Sequence, residues 1–121
     1  MRILVCGGRN FNNYKWLSEV LDNYLETYND PIFIISGMAA GADTLAARWA
    51  SEHIPHENFK GFHAEWKRFG KAAGAIRNQQ MLTEGKPDLV IAFPGGKGTA
   101  DMVRRATKQG YKVLDLREKT C

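Results

Sequence analysis

Short apolar runs alternate along this chain with segments whose apolar residues recur every three or four positions. Residues 2–6 (Arg-Ile-Leu-Val-Cys) form the first run and predict a strand, stopped by Gly7 and Gly8. Leu17, Val20, Leu21, Tyr24, Leu25 and Tyr28 then repeat at helical spacing, which predicts an amphipathic helix in a region closed by Pro31. Residues 32–35 (Ile-Phe-Ile-Ile) predict a second strand, and 42–53 a helix with Leu45, Ala46, Trp49 and Ala50 on one face. Further on, the pattern predicts a strand at 58–62, a helix at 71–83, a strand at 89–93, a helix at 99–108 and a last strand at 111–116.

Strands alternating with helices through short glycine-bearing loops predict a parallel sheet covered on both faces. Right-handed crossovers then give an α/β fold, a Rossmann-like three-layer sandwich with a mostly parallel sheet of about five strands. The 121 residues read as a single domain, 1–121, with no internal repeat, linker or low-complexity tract.

Composition changes this picture little. The chain is 44% hydrophobic and 25% charged, as ordinary globular proteins are, and its net charge of +4 suits a phosphorylated or polyanionic partner. Cys6 and Cys121 make neither a disulfide framework nor a metal site. His53, His56 and His63 have no cysteine or clustered carboxylate at ligand spacing, so no metal and no cofactor are expected. The first residues do not read as a signal peptide and nothing approaches a membrane span, so the expectation is a cytoplasmic protein with no membrane partner.

Ligands of an open parallel sheet bind outside the carboxyl ends of its strands. Four segments leave those ends: 7–10 (Gly7, Gly8, Arg9, Asn10), 36–43 (with Ser36, Gly37, Met38, Gly41 and Asp43), a long loop at 63–70 carrying Trp66, and 94–99 (Pro94, Gly95, Gly96, Lys97, Gly98, Thr99). Glycine is concentrated in three of the four. The last segment is the strongest signal, because it joins an apolar run at 88–93 to a helix start. Glycines there let backbone N–H groups crowd around an anion, and the helix dipole adds roughly half a positive charge at the same spot. It is not a Walker A loop, since Gly98 separates Lys97 from Thr99. The dinucleotide fingerprint is also absent after the first strand, and Ser36-Gly37 stand where an NAD site places an acid.

Other candidates have two readings each. Arg77 and Asn78 either bind an anionic ligand or form a solvated helix face. Asp43 either contacts a ribose hydroxyl or caps backbone N–H groups. Trp66, beside Lys67, Arg68 and Lys71, either stacks a base while the cations meet phosphate or staples its loop to the core. Phe69 and Trp49 read as core residues.

Three blocks taken together resemble the SLOG superfamily, the Rossmann-like group that includes Lonely Guy (LOG) phosphoribohydrolases and the DNA processing protein A family. They are Val5 to Phe11, Ser36 to Ala46, and Gly70 to Leu82 with Phe93 to Met102. The small YspA-type SLOG domains are the most similar members. The resemblance implies a nucleotide or nucleotide-derived ligand, because the Pro-Gly-Gly-x-Gly-Thr loop of LOG enzymes holds the 5′-phosphate of a nucleoside monophosphate. It also implies hydrolysis of the N-glycosidic bond by an arginine and a carboxylate. The LOG pattern places its glutamate three residues after the threonine, where this chain has Met102; Asp101 and Asp43 remain as candidate carboxylates and Arg77 as the arginine. Asp101 is otherwise a first-turn acid that favours the helix dipole. A non-catalytic nucleotide sensor or sequestering protein is the alternative. Similarity of Asp43 and of Arg77-Asn78 to the DNA processing pattern implies a second alternative, single-stranded nucleic-acid binding. Relatives of this kind often form homodimers, so a homo-oligomer is expected on the resemblance.

Overall fold

A computed structural model describes residues 1–118. Cys121 lies outside the described residues. Five strands, β1 (Arg2–Cys6), β2 (Phe33–Ser36), β3 (Phe59–Gly61), β4 (Leu89–Ala92) and β5 (Val113–Asp115), form one all-parallel sheet in the order β3-β2-β1-β4-β5. The helices are α1 (Tyr14–Thr27), α2 (Ala42–His53), α3 (Trp66–Phe69), α4 (Ala73–Gly85) and α5 (Lys97–Lys108). The expected Rossmann-like α/β sandwich is therefore the fold that forms.

Alternation along β1 builds both halves of the core. Ile3 and Val5 pack with Leu17 and Leu21 of α1 and Trp49 of α2, while Leu4 and Cys6 pack with Met81 and Leu82 of α4 and Met102 of α5. A strand covered on both faces has no polar side to show, which is why residues 2–6 read as an almost unbroken apolar run. Strand β1 pairs with β2 on one side and β4 on the other, so strand order reverses there, and the crevice opens outside the carboxyl ends of these strands.

Element boundaries depart from the periodic pattern where polar groups decide them. Helix α1 starts at Tyr14, three residues before the first periodic leucine, because the Asn13 side chain accepts from the Trp16 N–H at 3.0 Å. Strand β2 is shifted by one residue, although Ile32 before it is still buried. Strand β3 shortens to three residues behind a single 3-10 turn, His56–Asn58, and β5 shortens to Val113–Asp115. The stretch 63–70, expected as a loop, contains the one-turn helix α3 and leads through a second 3-10 turn, Gly70–Ala72, into α4. The last helix begins at Lys97, two residues early and inside the glycine segment itself.

Trp49 is the largest fully buried side chain; its Nε1–H donates to Asp22 at 2.9 Å and its ring stacks on His53 at 4.7 Å. Trp49→Ala is expected to cost about 3–5 kcal/mol, against roughly 1 kcal/mol for Trp49→Phe, which keeps most of the volume and loses the hydrogen bond. Urea denaturation followed by circular dichroism measures the difference; equal costs for the two variants would contradict this packing role.

Candidate functional site

The crevice is a cleft of about 670 Å³ lined from all four segments that leave the strand ends. Its walls are held together by glycines. The Gly8 N–H donates to the Pro94 carbonyl at 2.8 Å, and a Cβ at Gly8 would lie 2.8 Å from Gly95 Cα. A Cβ at Gly7 would stand 2.6 Å from that of Ala42, and one at Gly95 would collide with Thr99 Oγ1 and the Gly8 N–H. Gly41 has φ +83, and a Cβ there would overlap the Gly8 carbonyl. These four glycines let three loops touch backbone to backbone. Gly96 and Gly98 are different, for a Cβ at either would have no atom within 4 Å.

Two helices start at this cleft, and their first turns are opposite in character. At α2 the Ala42 N–H donates to the Gly8 carbonyl at 3.2 Å, and Asp43 places a carboxylate in the first turn. The preceding loop closes on itself. Asp43 Oδ2 accepts from the Ala39 N–H at 3.2 Å, Thr44 Oγ1 donates to the Ala39 carbonyl at 2.8 Å, and Ser36 Oγ donates to the Asp43 carbonyl while accepting from the Met38 N–H. At α5, by contrast, Gly96 provides no side-chain cap and the first turn has no acid. The first helical bond is Ala100 N–H to Gly96 O at 3.0 Å, so the N–H groups of Lys97, Gly98 and Thr99 precede the helical ladder.

Helix α4 connects the two. Arg77 Nη1 donates to the Gly37 carbonyl at 2.7 Å and its Nε to Asn78 Oδ1 at 3.2 Å. Asn78, buried, donates from Nδ2 to the Gly98 carbonyl at 3.1 Å and to Asp101 at 3.0 Å. The pair thus joins the loop after β2 to the first turn of α5.

The sequence-expected residues fall into three groups. Gly7, Gly8, Arg9, Gly37, Met38, Asp43, Trp66, Arg77, Asn78, Gly96, Lys97, Gly98 and Thr99 line the cleft. Ser36, Gly41, Pro94 and Gly95 shape its loops from behind, through the contacts above. Asp101 is outside the lining and its carboxylate is taken up by Asn78, by Arg104 Nη2 at 2.6 Å and by Arg105 Nε at 2.9 Å; Met102 is fully buried in the core beneath α5. Asp43 is therefore the single carboxylate lining the cleft among the described residues. Seven lining residues were not among the candidates: Ala39, Ala40, Ala64, Gly74 and Met81, and two with reactive side chains, Cys6 and His63. Cys6 contributes from the end of β1, where burial pushes its thiol well above the ordinary range and keeps it protonated. His63 follows β3, and nothing in its local sequence marks it.

Backbone strain marks one side of the cleft. Met38 sits at φ +61, a left-handed conformation that costs a side-chain-bearing residue roughly 1 kcal/mol or more.

An all-parallel sheet with glycine-built loops meeting at its switch point, and with an uncapped helix start facing the cleft, defines a Rossmann-like domain. The chain belongs to the YspA, cpYpsA-related SLOG family, whose profile matches residues 1–69. It is also similar to the Gene 61 protein of Mycobacterium phage D29, 32% identical over 124 residues that cover 98% of both chains. Membership of the SLOG family is consistent with a nucleotide-related function. No helix among the described residues is long and apolar enough to cross a membrane.

Burial pushes the Asp43 carboxyl from 3.8 up to about 6, against the Ala39 N–H and the Arg77 guanidinium, which both pull it down. Between those values the folded chain holds a proton that the unfolded chain has released, so stability falls as pH rises through this window and levels off above it. Asp43→Asn, which keeps an acceptor for Ala39, is expected to gain on wild type across the same window by at most roughly 3 kcal/mol. Urea denaturation at a series of pH values tests this, and parallel profiles for the two proteins would sink it.

Proposed function

We propose that this protein binds a nucleotide or nucleotide-derived small molecule, with its phosphate at the start of α5 and its sugar beside Asp43. The contrast between the two helix starts carries the reading. Neither start has a side-chain cap, but at α2 the Gly8 carbonyl takes the Ala42 N–H and Asp43 puts a carboxylate in the first turn, whereas the first turn of α5 has no acid and opens onto free space at Gly96 and Gly98. Backbone N–H groups and the helix dipole stabilise an anion there, with Lys97 on the same turn and Arg9 on the facing loop. Asp43 has the opposite preference, repelling phosphate and accepting from hydroxyl groups, as the diol of a ribose requires. A volume of about 670 Å³ is that of a small-molecule site.

Turnover is a second reading, favoured by Asp43. Its raised pKa suits proton transfer near neutrality, and no other carboxylate lines the cleft among the described residues. Hydrolysis of the N-glycosidic bond of a nucleoside 5′-monophosphate would then draw on Asp43 and Arg77. Asp101, bound to two arginines outside the cleft lining, is the weaker candidate.

Titration calorimetry with AMP, ribose 5-phosphate and adenosine tests the binding reading. The two phosphorylated compounds are expected to bind at least about tenfold more tightly than adenosine, and Gly96→Asp to lower AMP affinity by about tenfold or more. That variant has room for its side chain, so its melting temperature stays close to wild type. Undiminished AMP binding by folded Gly96→Asp would overturn the phosphate assignment. Chromatography of the same mixtures separates turnover from binding: adenine released by wild type and not by Asp43→Asn supports hydrolysis, and no release rejects it.

A further inference from the structure

Three large hydrophobic side chains are exposed among the described residues, Tyr28, Met38 and Trp66, and two of them line the same cleft. Tyr28 has a ring partner in Tyr24 at 5.9 Å. The other two tryptophans are also accounted for, Trp49 in the core and Trp16 against Phe11 and Phe93. Trp66 is 56% exposed and has no aromatic partner among the described residues. An indole left open to water is costly unless something planar or apolar covers it.

Both cleft side chains rest on glycines. A Cβ at Gly61 would stand 2.7 Å from Cγ and Sδ of Met38, so the thioether lies in the space that this glycine leaves at the end of β3. A Cβ at Gly74 would be 3.6 Å from Trp66 Cη2, which places the indole edge over the first turn of α4. Met38 is moreover held in its left-handed conformation by the Ser36 hydroxyl, which accepts its N–H at 3.2 Å. The loop thus spends strain on presenting an apolar side chain to solvent at 37% exposure.

We propose that Met38 and Trp66 form the walls of a slot for the aromatic base of the ligand, continuous with the phosphate cradle at Gly96–Thr99. The proposal rests on the nucleotide reading above and deepens it by naming the part of the ligand that these residues hold. Indole faces stack on any nucleobase, and thioether sulfur packs favourably against aromatic rings, so the slot accepts a flat ring with little choice among bases. Asp43 then faces the sugar between base and phosphate. Loop 63–70 thereby takes the base-stacking role open to Trp66, with its cations Lys67 and Arg68 on the exposed side of α3.

The test compares AMP, GMP, CMP and UMP with ribose 5-phosphate by titration calorimetry on wild type, Trp66→Ala, Trp66→Phe and Met38→Ala. Wild type is expected to bind the nucleotides more tightly than ribose 5-phosphate. Trp66→Ala should lose about tenfold or more for nucleotides and leave ribose 5-phosphate unchanged, with Trp66→Phe in between and Met38→Ala weaker by a few-fold. Quenching of wild-type tryptophan fluorescence by AMP, and its loss in Trp66→Phe, gives an independent readout. Wild type that binds ribose 5-phosphate as tightly as every nucleotide would overturn the slot and leave the phosphate cradle standing. So would a Trp66→Ala variant that keeps its preference for nucleotides. Wild type that binds none of the five would overturn the nucleotide reading, and the slot with it.

Discussion

The width of the cleft depends on one hydrogen-bonded bridge. Arg77 and Asn78, adjacent on α4, reach in opposite directions, to the Gly37 carbonyl and to the Gly98 carbonyl. Asn78 has one orientation available, since its Oδ1 accepts from the guanidinium and its Nδ2 donates to Gly98 and Asp101. A reversed amide would set donor against donor and acceptor against acceptor in a site shielded from water, where each unmade bond costs about 1–3 kcal/mol. No buried side-chain nitrogen or oxygen among the described residues is left without a partner, and this network is part of the reason. The bridge ties the first turn of α5 to the loop that leads into Asp43, so the spacing between these two walls is set by α4 rather than by either loop alone.

Asp101 takes its meaning from the same bridge. It receives Asn78 on one side and Arg104 and Arg105 on the other, and it anchors α5 against α4. A carboxylate so committed holds a wall in place. Asp43 is the contrasting case, with one backbone donor, heavy burial and the cleft in front of it. Two aspartates near the starts of two helices have separated into a strut outside the cleft and a cleft-lining group through their neighbours.

Much of this was legible in the residues. Strand β1 and helix α2 stand where the apolar pattern puts them, because burial on both faces and a strong helical stripe leave little choice of register. The gathering of the glycine segments also followed from their place at the carboxyl ends of parallel strands. What local sequence could not disclose depended on distant partners. One turn of helix at Trp66–Phe69 is too short to show a period. The tie from Asn78 to Gly98 spans twenty residues, and the burial of Asp43 needs the whole cleft around it. Nor do the glycines declare their division of labour. Gly95 and Gly96 are neighbours of one type, yet one is pressed against Gly8 and the other faces empty space.

Cys6 brings a further property to the cleft. Its sulfur is at the end of β1, enclosed by burial and kept as the thiol. Oxidants and alkylating metabolites attack the thiolate, so a cysteine kept protonated is chemically quiet even though it lines the site. The cleft floor therefore gains the close packing of a small apolar atom whose burial and protonation both work against covalent modification.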